Sequence, residues 1–140
     1  MLRVILNTDV FLSGLSSRNG SSFQILKMIK NELFKLVVSV PLVFEYHHSA
    51  KRASRLLGLT HEQIDDVLDY FCLVAYRQSI THHWRTYFQD PKSEMILSLA
   101  LASDADYIIT HKTEPIVDMK RFGIRIVTPQ LFLKKIGAPD

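Results

Sequence analysis

Four groups of polar residues stand where reactive side chains are needed. Asn7 and Asp9 close the apolar run RVIL, Glu45 lies in VPLVFEY, Asp90, Ser93 and Glu94 share DPKSEM, and His111, Lys112 and Glu114 follow YIIT. Oxygen donors from separate segments suit a hard divalent cation, because Mg²⁺ and Mn²⁺ take oxygen ligands and usually retain waters and substrate phosphate. Such a site hydrolyses phosphodiesters by activating water. The triplet Asn7-Thr8-Asp9 is the awkward part, with the amide first and the carboxylate last. If the strand continued through it, the two side chains would share a face roughly 6 to 7 Å apart. Asn7 lends a carbonyl oxygen but no charge. A simpler role for Asp9 is an Asx-turn that starts a loop toward Ser13-Gly14.

The elements that must position these groups follow from periodicity. Continuous apolar runs at 3 to 6 (RVIL), 34 to 39 (FKLVVS), 107 to 110 (YIIT) and 124 to 128 (IRIVT) predict strands buried on both faces. Helical spacing is expected over Ser22 to Lys30 and over Thr60 to Ala75, where Thr60 and Gln63 form a capping box. Pro41, Pro91 and Pro129 each suit the first turn of a helix, with Asp90 as an N-cap. The Ser16 to Ser22 stretch reads as a loop. Strands alternating with helices imply a parallel sheet, and right-handed crossovers bring the strand C-termini to one edge, where ligands bind.

Bulk properties set limits. The chain has 140 residues, of which 47% are hydrophobic, enough for one core, so a single domain over 1 to 140 is expected. A lone cysteine, Cys72, rules out an internal disulfide and a cysteine-rich zinc site. Absence of a secretory h-region and of an 18-residue apolar run points to a cytoplasmic protein with no membrane partner. There is no Gly-x-Gly-x-x-Gly and no P-loop, so no nucleotide cofactor is expected. A net charge of +3 permits a polyanionic partner without requiring one.

The stretches RVILNTDVFLSGL, LVVSVPLVFEY, GLTHEQIDDVLDYF, WRTYFQDPKSEMILSLALASDADYIITH and FGIRIVTPQLFLKKIG, in this order, resemble the PIN-domain proteins. The likeness is to the toxin components of bacterial toxin–antitoxin systems. It implies an α/β fold, a three-layer α/β/α domain with a central parallel sheet of about four to five strands. It also implies a ribonuclease lineage dependent on Mg or Mn, and neutralisation by a cognate antitoxin protein.

The site positions match less well. The family usually reads Asp-Thr-Asn where this chain has Asn7-Thr8-Asp9, and has an Asp at the position of Ser93. Glu45 matches the family glutamate. After YIIT the family commonly has His-Asn and then Asp-Phe, whereas HKTEPI supplies Lys112 and Pro115. The resemblance therefore implies a site of Asn7, Asp9, Glu45, Ser93 and Glu94, with Asp9, Glu45 and Glu94 left to hold a metal and Lys112 and Thr110 facing RNA. Two readings remain: a ribonuclease weakened by the loss of acidic ligands, or an inactive PIN-like domain that binds an antitoxin-like protein or RNA.

Other features have plainer readings beside functional ones. Glu45-x-x-His48 is a metal-ligand spacing, but the pairs His47-His48 and His82-His83 fit solvent-facing histidine better. Trp84 is either a base-stacking residue or a packing anchor. Lys112 either pairs with Glu114 or stands where a metal sat, meeting phosphate or Glu45. DYFCLVAY and FLKKIG hold more apolar residues than one helix face buries, so a two-fold homodimer or a partner-binding patch is expected.

Overall fold

A computed structural model describes residues 1–16, 20–81, 91–112 and 122–137. Its centre is a parallel sheet of β1 (Leu2–Leu6), β2 (Phe34–Val38), β3 (Tyr76–Arg77), β4 (Tyr107–Ile109) and β5 (Arg125–Val127), in the order β3-β2-β1-β4-β5. Seven α-helices among the described residues cover it in a three-layer α/β/α arrangement: α1 (Thr8–Ser16), α2 (Ser21–Met28), α3 (Val40–Arg52), α4 (Ser54–Leu57), α5 (His61–Val74), α6 (Pro91–Ser103) and α7 (Pro129–Lys135). None of the helices is long and apolar enough to cross a membrane.

Three of the continuous apolar runs became the inner strands β1, β2 and β4, because both sheet faces are covered there, whereas 124 to 128 became the edge strand β5, with Arg125 exposed. In β1, Val4, Ile5 and Leu6 are fully buried, and Val4 is in register with Leu36 of β2 and Tyr107 of β4. The capping box read from sequence is formed. Thr60 Oγ1 accepts from Gln63 N at 3.1 Å while Gln63 Oε1 accepts from Thr60 N at 2.9 Å. Ser39 and Thr128 cap α3 and α7, each followed by a proline at the helix start.

The chain fills one half of the sheet, through β2 and β3, before returning to fill the other through β4 and β5. The order therefore reverses between β1 and β4. At such a switch point the connections leave neighbouring strands on opposite sides, which opens a crevice at their carboxyl ends. Asn7 follows β1 there, and Thr110, His111 and Lys112 follow β4.

Three expectations need correction. Asn7-Thr8-Asp9 does not prolong the strand or begin a loop: Asn7 O accepts from Val10 N at 3.0 Å and from Phe11 N at 3.2 Å, so the helix α1 starts at once. Val10, Phe11 and Gly14 supply its buried face. The Ser16 to Ser22 loop is shorter than read, since Ser16 ends α1 and Ser21 begins α2, with 17–19 outside the described residues. FLKKIG is not surplus apolar surface: Phe132 and Leu133 are buried, Phe132 meeting Phe34 and Tyr107 edge-on at 5.2 and 5.9 Å. Elsewhere apolar side chains do face outward, notably Val40, Phe44 at 67% exposure and Leu73 at 82%.

Candidate active site

A cleft of about 360 Å³ opens at the switch point, lined by Asn7, Asp9, Glu45, Lys92, Ser93 and Lys112 among others. Three of these elements were separate in the sequence: the start of α1, the middle of α3 and the start of α6. Of the residues read from sequence, Asn7, Asp9, Glu45, Ser93 and Lys112 are thus brought together. Glu94 and Thr110 are not among the lining residues. Glu94 Oε1 accepts from Ser98 Oγ one turn along α6 at 3.2 Å, and Thr110 is completely buried.

Asp9 is the acceptor of a local network. Its Oδ1 accepts from Val10 N at 2.8 Å, and its Oδ2 accepts from Thr110 Oγ1 at 2.9 Å and from His111 N at 3.0 Å. The Thr110 hydroxyl in turn accepts from Asn7 Nδ2 and from Lys112 N, both at 3.2 Å. This explains the order of the triplet. A donor is needed at position 7 and an acceptor at position 9, and Asp9 also places its negative charge in the first turn of α1, where the helix dipole favours it. The carboxylate ties α1 to the segment after β4.

Glu45 is engaged across the cleft. Lys92 Nζ lies 3.2 Å from Glu45 Oε1, and Ser49 Oγ donates to the same oxygen at 3.2 Å. Position 112 is thus not the lysine that meets Glu45. Lys92 was missed because its only sequence signal is a place in the first turn of α6, and nothing in the sequence says which residue of α3 that turn faces. Tyr46 was missed as well. Fully buried, its phenol donates to Leu6 O at the end of β1, and its ring stacks on Phe11 at 4.5 Å and 16°. Burial first, and the Asp9 carboxylate second, push its ionisation far above the ordinary phenol range. It stays a donor and fixes α3, and hence Glu45, against β1 and α1.

Neighbouring histidines have other partners or none of the proposed geometry. His48 is exposed and does not line the cleft. His47 Nε2 lies 3.3 Å from Asp65 Oδ1, which Lys51 Nζ also meets at 2.9 Å. His111 Nε2 is 2.8 Å from Ser13 Oγ and 3.3 Å from Ser22 Oγ. His82, His83, Trp84, Asp90, Glu114 and Pro115, with the readings attached to them, lie outside the described residues.

A divalent cation is the group implied by the fold, and the described donors do not fit it. Three of the lone-pair positions of Asp9 already accept from protein donors, Glu45 faces an ammonium, Ser93 carries no charge and Glu94 is not part of the lining. No group of three or more His, Cys, Asp or Glu that could hold a metal occurs among the described residues. Converging charged carboxylates are what offset the dehydration of Mg²⁺ or Mn²⁺.

Fold and site together define a three-layer α/β/α domain of the PIN type, with its polar cleft at the β1/β4 switch point. A family model described as the PIN domain matches residues 3–114, and the chain belongs to that family. Among solved structures, VapBC2 from Rickettsia felis, bound to a DNA fragment from their promoter, is similar with a TM-score of 0.61 at 16% identity, over 91% of this chain and 98% of that one. PAE2754 from Pyrobaculum aerophilum is similar with a TM-score of 0.67 at 9% identity, over 99% of this chain and 91% of that one. At these identities the likeness speaks to the fold. No curated protein matches the chain.

Proposed function

We propose that this chain is a PIN-domain protein of the toxin–antitoxin lineage that binds RNA at the switch-point cleft and has lost metal-dependent hydrolysis. The observation that carries the reading is the commitment of both cleft carboxylates: Asp9 to protein donors and Glu45 to Lys92. Lys92 and Lys112, with the hydroxyls of Ser49 and Ser93 in the same lining, suit a phosphate of the RNA backbone. A cytoplasmic setting and an antitoxin-like partner come with the lineage. The outward Val40 and Phe44, which line one shallow apolar hollow, and the outward Leu73 are apolar side chains on which such a partner or a second copy in a homodimer would seat.

Fluorescence anisotropy of a labelled single-stranded RNA in EDTA tests the binding. Binding is expected without metal, weakening with salt by a slope of about 0.7 per neutralised phosphate, and that slope should shrink with Lys92→Ala. Incubation with Mg²⁺ or Mn²⁺ is expected to leave the RNA intact. Robust Mg²⁺-dependent cleavage by the natural protein, abolished by Asp9→Ala, would reverse the reading. Light scattering reports the homodimer, and Phe44→Asp with Leu73→Asp should give a monomer.

A further inference from the structure

The cleft has a cation of its own. Glu45 is half-buried, with 19% of its side chain exposed, whereas the Lys92 side chain is 70% exposed and reaches Glu45 Oε1 from the facing helix at 3.2 Å. An exposed ion pair between long side chains contributes little to stability. This one differs in where it sits, because both partners line the cleft that the fold would use for a metal. A tethered ammonium also has a high effective concentration at its partner, which a free ion at millimolar concentration must overcome.

We infer that Lys92 is the resident counter-ion of Glu45, so that lysine and a divalent cation are alternative occupants of one carboxylate. This rests on the same cleft as the RNA-binding reading but concerns its cation, not its ligand. An ammonium supplies one positive charge and up to three donors without any ion having to shed its waters. It leaves Glu45 charged yet compensated, and it keeps the cleft ready for an anion. A divalent ion at Glu45 would have to displace Lys92 and then stand near it, and two cations within about 4 to 6 Å repel strongly. The nearby Lys112 adds to that repulsion from the β4 side.

Mn²⁺ titration of the full chain, followed by electron paramagnetic resonance of the free ion, tests this. The natural protein and Lys92→Arg should bind Mn²⁺ only weakly, since the guanidinium keeps the charge. Lys92→Met should bind it at least about tenfold more tightly, and Lys92→Met with Glu45→Gln should lose the gain. Circular dichroism controls for folding, which an exposed lysine should not disturb. Equal Mn²⁺ affinity in the natural protein and Lys92→Met would overturn the inference, as would a gain that survives Glu45→Gln. If RNA binding fails while the Mn²⁺ pattern holds, the RNA reading falls and this one stands.

Discussion

Thr110 Oγ1 donates to Asp9 Oδ2 at 2.9 Å, and that single hydroxyl joins the amide of Asn7, the carboxylate of Asp9 and the backbone after β4. Its proton goes to Asp9, and its lone pairs receive Asn7 Nδ2 and Lys112 N. Every capacity of the hydroxyl is used.

Thr110→Val is accordingly expected to destabilise the fold by about 1 to 2 kcal/mol, because it takes a donor from the Asp9 carboxylate and an acceptor from Asn7 Nδ2 and Lys112 N in a part-buried place. Thr110→Ser should recover most of this. Asn7→Asp alone should cost about 1 to 3 kcal/mol, since it replaces a donor to Thr110 with an acceptor and sets a second carboxylate beside Asp9. Urea denaturation at neutral pH checks all three, and an Asn7→Asp variant as stable as the natural protein would show that the triplet order is not structural.

Gly14 has a different constraint, in packing. A Cβ there would lie 2.5 Å from Leu26 Cδ1 and 3.2 Å from the Ser22 carbonyl oxygen, where α1 crosses α2. Alanine normally gains about 1 kcal/mol over glycine inside a helix. Here the leucine can move but the carbonyl cannot without parting the helices, so Gly14→Ala should destabilise by about 1 to 3 kcal/mol. A raised melting temperature in calorimetry would contradict this.

Asp65 gives a pH dependence. Its pKa is held below the ordinary 3.8, first by the hydrogen bond from Lys51, and further by the Lys51 charge and by His47. A carboxyl depressed in the folded state adds stability above its unfolded pKa, and loses it as pH falls through the folded value. The stability gap between the natural protein and Asp65→Asn should therefore close as pH falls below about 4. Denaturation midpoints between about pH 5 and pH 3 measure it, and a gap that widens as pH falls below about 4 would contradict the sign.

The inner strands and several helix starts were legible because burial on both sheet faces writes a continuous apolar run, and because Pro41, Pro129 and the Thr60/Gln63 capping box announce helix starts. The helix α1 was not. Its first residues, Asn7-Thr8-Asp9, are as common in turns as at helix starts, and only the acceptor role of Asn7 O decides between them. Part of the cleft lining was readable one segment at a time, since Asn7, Asp9, Ser93 and Lys112 follow a strand or open a helix and Glu45 lies in the helix after a strand. The pairing was not, because Lys92 meets Glu45 through the way α6 leans on α3, which no local pattern encodes. For FLKKIG, the apolar surplus disappeared once Phe132 met Phe34 and Tyr107 from strands distant in sequence.

The most demanding prediction is restoration of a metal centre. Asn7→Asp and Ser93→Asp each put a carboxylate where the resemblance to PIN-domain proteins implies one, yet the pair should gain little Mn²⁺ affinity while Lys92 still covers Glu45. Adding Lys92→Met removes the competing charge, and the triple variant should then bind Mn²⁺ at least about a hundredfold more tightly than the natural protein. Its stability without metal should fall for two reasons. Asn7→Asp turns an acceptor toward Thr110, and Ser93→Asp puts a charge at a nearly buried position, where Ser93 is only 8% exposed. Mn²⁺ should return that stability, by mass action on the folded state alone. Calorimetry with and without Mn²⁺ reads both effects in one sample, and an RNA cleavage assay follows. Should the folded triple variant show neither Mn²⁺ binding nor stabilisation, the departure from the family site would extend beyond positions 7, 92 and 93. Should the pair without Lys92→Met bind as tightly as the triple variant, Lys92 would be an ordinary surface lysine and not the cation of this cleft.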